Sequence, residues 1–295
     1  MTFEGALNYG RNLLKEAGVL NYQLDAWYLM EYACKMNKSE YYLRGFDEIE
    51  DEKFQEYELL LKKRGERVPL QYITGAQEFM GLNFKVNSNV LIPRQDTETL
   101  VEEALKILKP GMEVLDLCTG TGCIIISLLK HAGTEIKGTA SDISKQALLI
   151  AKENARNNQV EAEWVRSDLF QNITGTFDLI ISNPPYIPTG TISKLMPEVK
   201  NFEPLEALDG AEDGLMFYRK MIPESLKFLK PGGYLYFEIG YDQGKKVSFL
   251  MEKHGFCNVK VVKDLAGSDR VVCGNLPAAK QIVHSETDRE EEKNV

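Results

Sequence analysis

Asn183-Pro184-Pro185-Tyr186 sets an amide, two carbonyls with no N–H of their own residue to compete, and an aromatic ring in four consecutive positions. The apolar run before it, Phe177-Asp178-Leu179-Ile180-Ile181-Ser182, reads as a buried parallel strand. The prolines end that strand, because neither can donate to a ladder. A stiff loop at a strand's carboxyl end is where open α/β sheets bind ligands. There the Asn183 side-chain oxygen and a proline carbonyl can accept both hydrogens of a planar NH2 group, with Tyr186 across its face. That is chemistry on an amide or amino nitrogen. The same residues also fit a plain strand stop with Tyr186 as packing.

Other strand ends carry matching groups. Glu113-Val114-Leu115-Asp116-Leu117 runs into Cys118-Thr119-Gly120-Thr121-Gly122 and then an apolar helix. Glycines at such a bend let backbone approach a ligand, and the helix start offers free N–H groups. The third glycine of the dinucleotide fingerprint is missing, so the pattern is weak evidence for NAD. Asp142 closes the next strand, placed to accept from both hydroxyls of a ribose. Asp168 and Leu169 follow the third strand, offering a carboxylate and an apolar face beside an adenine. Taken singly, Gly120 and Gly122 fit a tight turn, Asp142 a cap on the helix starting near Ser144, and Asp168 a turn cap. Taken together they lie in the order that a nucleoside ligand requires.

A sheet must hold those ends level. Strands are expected at 112–117, 135–142, 162–166, 177–182 and 232–239, alternating with helices near 122–132, 144–156 and 214–229, which implies a mostly parallel sheet covered on both faces. Runs at 256–263 and 269–274 have only a short link, so one of them should run antiparallel. Residues 1–68 read as a small helical bundle without catalytic spacing, with Ser39 and Asp51 as expected helix caps. Residues 69–92, punctuated by Gly75, Gly81 and Asn87-Ser88-Asn89, read as a β-hairpin linker, and 93–276 as the ligand-binding domain. The stretch 277–295, ending in charged residues, is expected to be a disordered tail.

Composition narrows the setting. With 43% hydrophobic and 27% charged residues the chain has the balance of a soluble globular protein. It lacks an apolar run of spanning length or a signal-peptide core, so no membrane association is expected. Five scattered cysteines point to a reducing cytoplasm, and Cys118 with Cys123 lacks the further ligands of a metal site. A net charge of −9, from 35 basic and 44 acidic residues, disfavours direct binding of nucleic acid.

The strand with Gly120-x-Gly122, then Asp142, then Asn183-Pro184-Pro185-Tyr186 resembles a class I S-adenosylmethionine-dependent methyltransferase acting on a planar nitrogen. That group includes adenine-N6 DNA, guanine-N2 rRNA and glutamine-N5 protein methyltransferases, among which the tetrapeptide does not choose. Further segments are similar to the PrmC/HemK family: Pro69-Leu70-Gln71-Tyr72-Ile73-Thr74-Gly75, Leu91-Ile92-Pro93-Arg94-Gln95-Asp96-Thr97-Glu98, Glu203-Pro204-Leu205-Glu206-Ala207-Leu208, Asp213-Gly214-Leu215, and Asp264 to Arg270. The resemblance implies a Rossmann-like α/β fold and a helical N-terminal domain that helps dock a peptide chain release factor. It also implies methyl transfer to the side-chain amide of the Gly-Gly-Gln glutamine, modulating translation termination. Cys118, Thr119, Gly120, Thr121, Gly122, Asp142, Asp168, Leu169 and Asn183 would hold S-adenosylmethionine and its product S-adenosylhomocysteine, without a metal. Asn183, Pro184, Pro185 and Tyr186 would bind the substrate, with Asn183, Pro184 and Tyr186 catalytic. A monomer is expected. Arg94 and Glu98 are expected to brace the site floor, or else to form an i,i+4 pair. The chain departs from the family where Gln95 and Asp96 replace Pro-Glu, where Cys118 replaces a common glycine, and where Leu169 replaces an aromatic.

Overall fold

The structure, a computed structural model, describes residues 1–278; the expected tail beyond residue 278 lies outside the described residues. Contacts divide the described residues into two units, Met1–Ala76 with Leu195–Glu203, and Gln77–Lys194 with the described residues from Pro204 onward. The first unit is helical: Phe3–Glu16, Tyr22–Cys34, Lys38–Arg44, Asp51–Gly65, Leu70–Thr74 and Pro197–Phe202. Leu7, Leu14, Leu29, Met30, Tyr57 and Leu61 are buried in its core. Helix packing is close at Gly10, where a side chain would overlap the Tyr57 hydroxyl, which itself donates to the Ala26 carbonyl at 3.0 Å. Asn37, not Ser39, caps the helix Lys38–Arg44: its Oδ1 accepts the Glu40 N–H at 3.0 Å, and Glu40 accepts the Asn37 N–H at 2.9 Å. This reciprocal box satisfies two orphan donors, whereas Ser39 already lies inside the helix.

Arg64 is 6% exposed and donates to Asp25 at 2.7 Å and to Glu198 at 2.8 Å. Arg67 reaches the other Glu198 oxygen at 2.6 Å. The stretch Leu195–Glu203 is thereby held to the helices by buried ion pairs.

Next in the chain comes a two-stranded hairpin, β1 (Ala76–Phe79) and β2 (Leu82–Lys85); the residues just before it, Leu70–Thr74, are helical. Gly75, at φ +78°, is the left-handed end of that short helix. Glu98 accepts the Met80 N–H at 2.7 Å and so fixes the hairpin turn. The sheet follows: β3 (Glu113–Leu117), β4 (Lys137–Asp142), β5 (Glu163–Arg166), β6 (Phe177–Ser182), β7 (Leu229–Glu238), β8 (Cys257–Lys263) and β9 (Asp269–Asn275). Its order is β5-β4-β3-β6-β7-β9-β8. All pairs from β5 to β7 are parallel, and β9 runs antiparallel to both β7 and β8.

Alternate residues face opposite cores, as the period of a strand requires. Leu179 and Ile181 pack on one face with Val114, Ile125 and Ile126, while Ile180 packs on the other with Leu115, Leu117 and Phe237. The order reverses between β3 and β6, and ligands bind at such a reversal. Register makes the ends level: Leu117 pairs with Ser141 and with Ser182, and Asp142 with Arg166. Residues 118, 142, 167 and 183 therefore emerge along one edge.

Candidate active site

A cavity of about 720 Å³ opens at that edge, in the size range of small-molecule sites. It is lined by Cys118, Gly120, Asp142, Asp168, Leu169, Asn183 and Pro185, together with residues 88–91, 204–207, Met216, Phe217 and Lys220. Thr119, Thr121, Gly122, Pro184 and Tyr186 do not line it. Thr119, Thr121, Gly122 and Tyr186 have places in the framework instead.

After β3 the backbone takes positive φ at Cys118 (59°), Gly120 (55°) and Gly122 (80°). A Cβ on Gly120 would meet nothing within 4 Å, so its bare face is open to the cavity. A Cβ on Gly122 would stand 2.9 Å from Ile126 Cδ1 and 3.2 Å from Ala151, so this glycine permits close helix packing. The Thr119 hydroxyl donates to Asp116 Oδ2 at 2.6 Å. Asp116 is fully buried, its Oδ1 lacks a partner, and burial pushes its pKa up to about 7 against the pull of Thr119. Thr121 accepts the Cys123 N–H at 3.3 Å and, through its carbonyl, the Asn154 amide at 3.0 Å.

Asp142 ties two turns together. Its Oδ2 accepts the Gly120 N–H at 2.9 Å and its Oδ1 the Ser144 N–H at 2.8 Å. The helix cap proper is Ser144, whose hydroxyl accepts the Ala147 N–H at 3.2 Å. Burial raises the Asp142 pKa while those two N–H donors hold it down. Asp168 closes a turn, its carbonyl accepting the Gln171 N–H at 3.1 Å, and Leu169 beside it has φ 49°. Burial drives the Cys118 thiol pKa upward, so it is held as the neutral thiol.

The loop after β6 is clamped from several sides. Ser182 donates to the Leu117 carbonyl at 2.6 Å, locking β6 to β3. Ile187 exchanges backbone hydrogen bonds with Leu208 and Gly210. Gln243 Nε2 donates to the carbonyls of Tyr186 and Gly214, while its Oε1 accepts the Gly240 N–H at 2.9 Å. Asn183 Nδ2 donates to Thr97 Oγ1 at 3.3 Å. The Tyr186 hydroxyl donates to Glu238 Oε1 at 3.1 Å, and burial together with that carboxylate raises the tyrosine pKa. Arg270 stands by, paired with Asp264 at 3.0 Å and Asp96 at 3.1 Å. Thr97, Glu238 and Gln243 were not among the expected site residues. A lone carboxylate closing the apolar run Tyr234-Leu235-Tyr236-Phe237-Glu238 is the signal that points to one of them.

This edge can enclose a nucleoside-sized ligand, with Asn183 in its lining. Among the described residues no cluster of His, Cys, Asp and Glu could hold a metal ion, and no helix is long and apolar enough to cross a membrane.

Comparison with known proteins agrees with that geometry. Residues 5–75 match the PrmC N-terminal domain family and residues 95–196 the Methyltransferase small domain family. A relative from Geobacter sulfurreducens named release factor glutamine methyltransferase is 39% identical over 279 residues, covering 93% of this chain and 97% of its own. One of the same name from Fusobacterium nucleatum is 40% identical, over 96% of this chain and 81% of its own. A methyltransferase structure from Pyrococcus furiosus superposes with a TM-score of 0.51 at 20% identity, over 67% of this chain and 90% of that one, which shows the shared fold.

Proposed function

The chain belongs to the release factor glutamine methyltransferase family, and on that footing we propose that it methylates the side-chain amide nitrogen of the Gly-Gly-Gln glutamine in peptide chain release factors, with S-adenosylmethionine as methyl donor. The residues fit that cofactor: Gly120 leaves open space where a Cβ would stand, Asp142 brings a carboxylate to the cavity, and Leu169 brings an apolar face. When bound, the cofactor supplies an electrophilic methyl on a sulfonium. The chain's own residues must prepare the nitrogen that receives it.

An amide nitrogen is a poor nucleophile because its lone pair is delocalised into the carbonyl. The observation that carries the reading is the Asn183 amide, whose Nδ2 is committed to Thr97 at 3.3 Å. Its Oδ1 is the atom left to accept from a ligand. Asn183 Oδ1 and the Pro184 carbonyl would accept hydrogen bonds from the two amide hydrogens and draw charge toward the nitrogen, and one of those two protons would be lost to solvent as the nitrogen gains the methyl. The Tyr186 ring would cover the amide plane. Orientation and polarisation do the work, and no strong general base is needed. The helical unit would help dock the release factor, and the chain would act as a monomer.

The test is transfer of label from S-adenosylmethionine to a purified release factor, beside a factor with the Gly-Gly-Gln glutamine replaced and a sample of rRNA. Label on the intact factor alone is expected. Label on the RNA, or on neither, would overturn the assignment.

A further inference from the structure

Among the described residues that line the cavity, Phe217 brings the one aromatic ring. It stands in the first turn of the helix Met216–Ser225, where Met216, Phe217 and Lys220 share a face and all reach the cavity. The other side of that helix, with Tyr218, Met221, Ile222 and Ser225, is buried. Its rotation is fixed there: the Tyr218 hydroxyl donates to the Glu238 carbonyl at 2.8 Å, and the Tyr218 ring meets Phe237 edge-on at 5.4 Å. The helix start is tied down too, the Met216 N–H donating to the Gly210 carbonyl at 3.3 Å. Phe217 is half-buried, packed against the same core as Leu169, and like Leu169 it reaches the cavity.

We infer that Phe217 is the wall against which the cofactor's adenine stacks, and so a residue that sets affinity for the base. The inference rests on the reading that this cavity holds S-adenosylmethionine; it does not depend on which substrate receives the methyl. Of that cofactor's parts the adenine alone is an aromatic plane, and such planes gain by stacking on protein rings. Leu169 is aliphatic: it can cover a base by apolar contact but offers no ring to stack on. Asp168 beside it adds an acceptor for the exocyclic amino group. The methionine end of the cofactor carries charges instead, which an apolar ring next to a leucine serves poorly. A ring already held by its own core also loses little freedom when the base arrives.

The test is titration calorimetry on full-length Phe217→Ala, Phe217→Leu and Phe217→Tyr, with Asp142→Asn as the reference for the cavity. The probes are S-adenosylmethionine, S-adenosylhomocysteine and methylthioadenosine, which keeps base and ribose but lacks the amino-acid end. Phe217→Ala is expected to weaken Kd on the order of 10-fold, and by the same factor for all three probes, since all three carry the base. Phe217→Leu, which keeps apolar packing, should lose about fivefold, and Phe217→Tyr, which keeps the ring, should stay within about twofold. Saturated kcat and the KM for release factor should change by less than about twofold, the pattern of lost cofactor binding alone. If Phe217→Ala does not fold, by thermal unfolding, Phe217→Leu decides. Unchanged Kd values overturn the inference. So does a loss confined to S-adenosylmethionine and S-adenosylhomocysteine, which would put the ring at the amino-acid end, or one confined to the KM for release factor. Weak cofactor binding in Asp142→Asn beside normal binding in Phe217→Ala removes only the role of Phe217; normal binding in both removes the underlying reading of the cavity.

Discussion

Gln243 Nε2 lies 3.0 Å from the Tyr186 carbonyl oxygen and 3.2 Å from that of Gly214, so one buried amide joins the loop after β6 to the turn at Gly214. The two backbones can approach because Gly214 has no side chain. A Cβ there would overlap the Tyr186 carbonyl oxygen and stand 2.6 Å from Gln243 Nε2, at a φ of +74°. Gly214→Ala must therefore shift the loop that carries Asn183. The strain is about 1–3 kcal/mol at such a position, and a displacement of about 1 Å at a reacting group costs on the order of 100-fold in rate. Cofactor binding by titration calorimetry should stay near the parent value while kcat falls. Unchanged kcat would show that the clamp is not needed to place Asn183.

Asn183→Ala removes the acceptor that the proposed chemistry depends on. Losing one preorganised partner of this kind costs about 3–4 kcal/mol in the transition state. The expected result is a fall in kcat of a few hundredfold or more with folding intact, read by thermal unfolding beside the transfer assay. Normal turnover in a cofactor-saturated variant would refute the mechanism.

Asp142 holds the Gly120 and Ser144 N–H groups and lines the cavity. Asp142→Asn keeps the shape but replaces one accepting oxygen by a donor aimed at an N–H. Hydrogen bonds to a charged group contribute about 1.5–3 kcal/mol, so cofactor Kd should weaken by about 10- to 100-fold. The loss should appear in the cofactor Kd and in KM for the cofactor, with saturated kcat little changed. A large fall in kcat at saturating cofactor would mean that Asp142 acts on the reacting groups instead.

Much of the sheet is legible in the chain because its strands are short apolar runs buried on both faces, as in Phe177–Ser182. Since parallel strands end together, the sequence alone places Cys118, Asp142, Asp168 and Asn183 on one edge. What periodicity does not convey is pairing across long separations. Tyr186 meets Glu238 52 residues on, and Arg64 meets Glu198 134 residues on. Nor does hydrophobic patterning reveal that 195–203 joins the helical unit, since that depends on ion pairs. The Asn37 and Glu40 box was local and visible; Ser39 competes for the same role by type and loses by position.

Those ion pairs give a pH prediction for the helical unit. Burial pushes the Glu198 carboxyl up, but hydrogen bonds from Arg67 and Arg64 outweigh it and leave its pKa at about 2, against an ordinary value of 4.5. A depressed carboxylate pKa means that the unfolded chain binds the proton more readily. The stability this group contributes is thus fully present above about pH 4.5 and is lost as pH falls toward about 2. By linkage the contribution is on the order of 3 kcal/mol. Glu198→Gln keeps the volume and an acceptor but not the charge, and leaves Arg64 and Arg67 paired only in part. Removing one partner of a buried pair costs about 3–5 kcal/mol. Denaturant unfolding of the variant at pH 7 should show that deficit, and the difference from the parent should shrink as pH is lowered through 4.5. A deficit that is the same at pH 7 and pH 3 would mean that Glu198 holds Leu195–Glu203 in place by packing and not by charge.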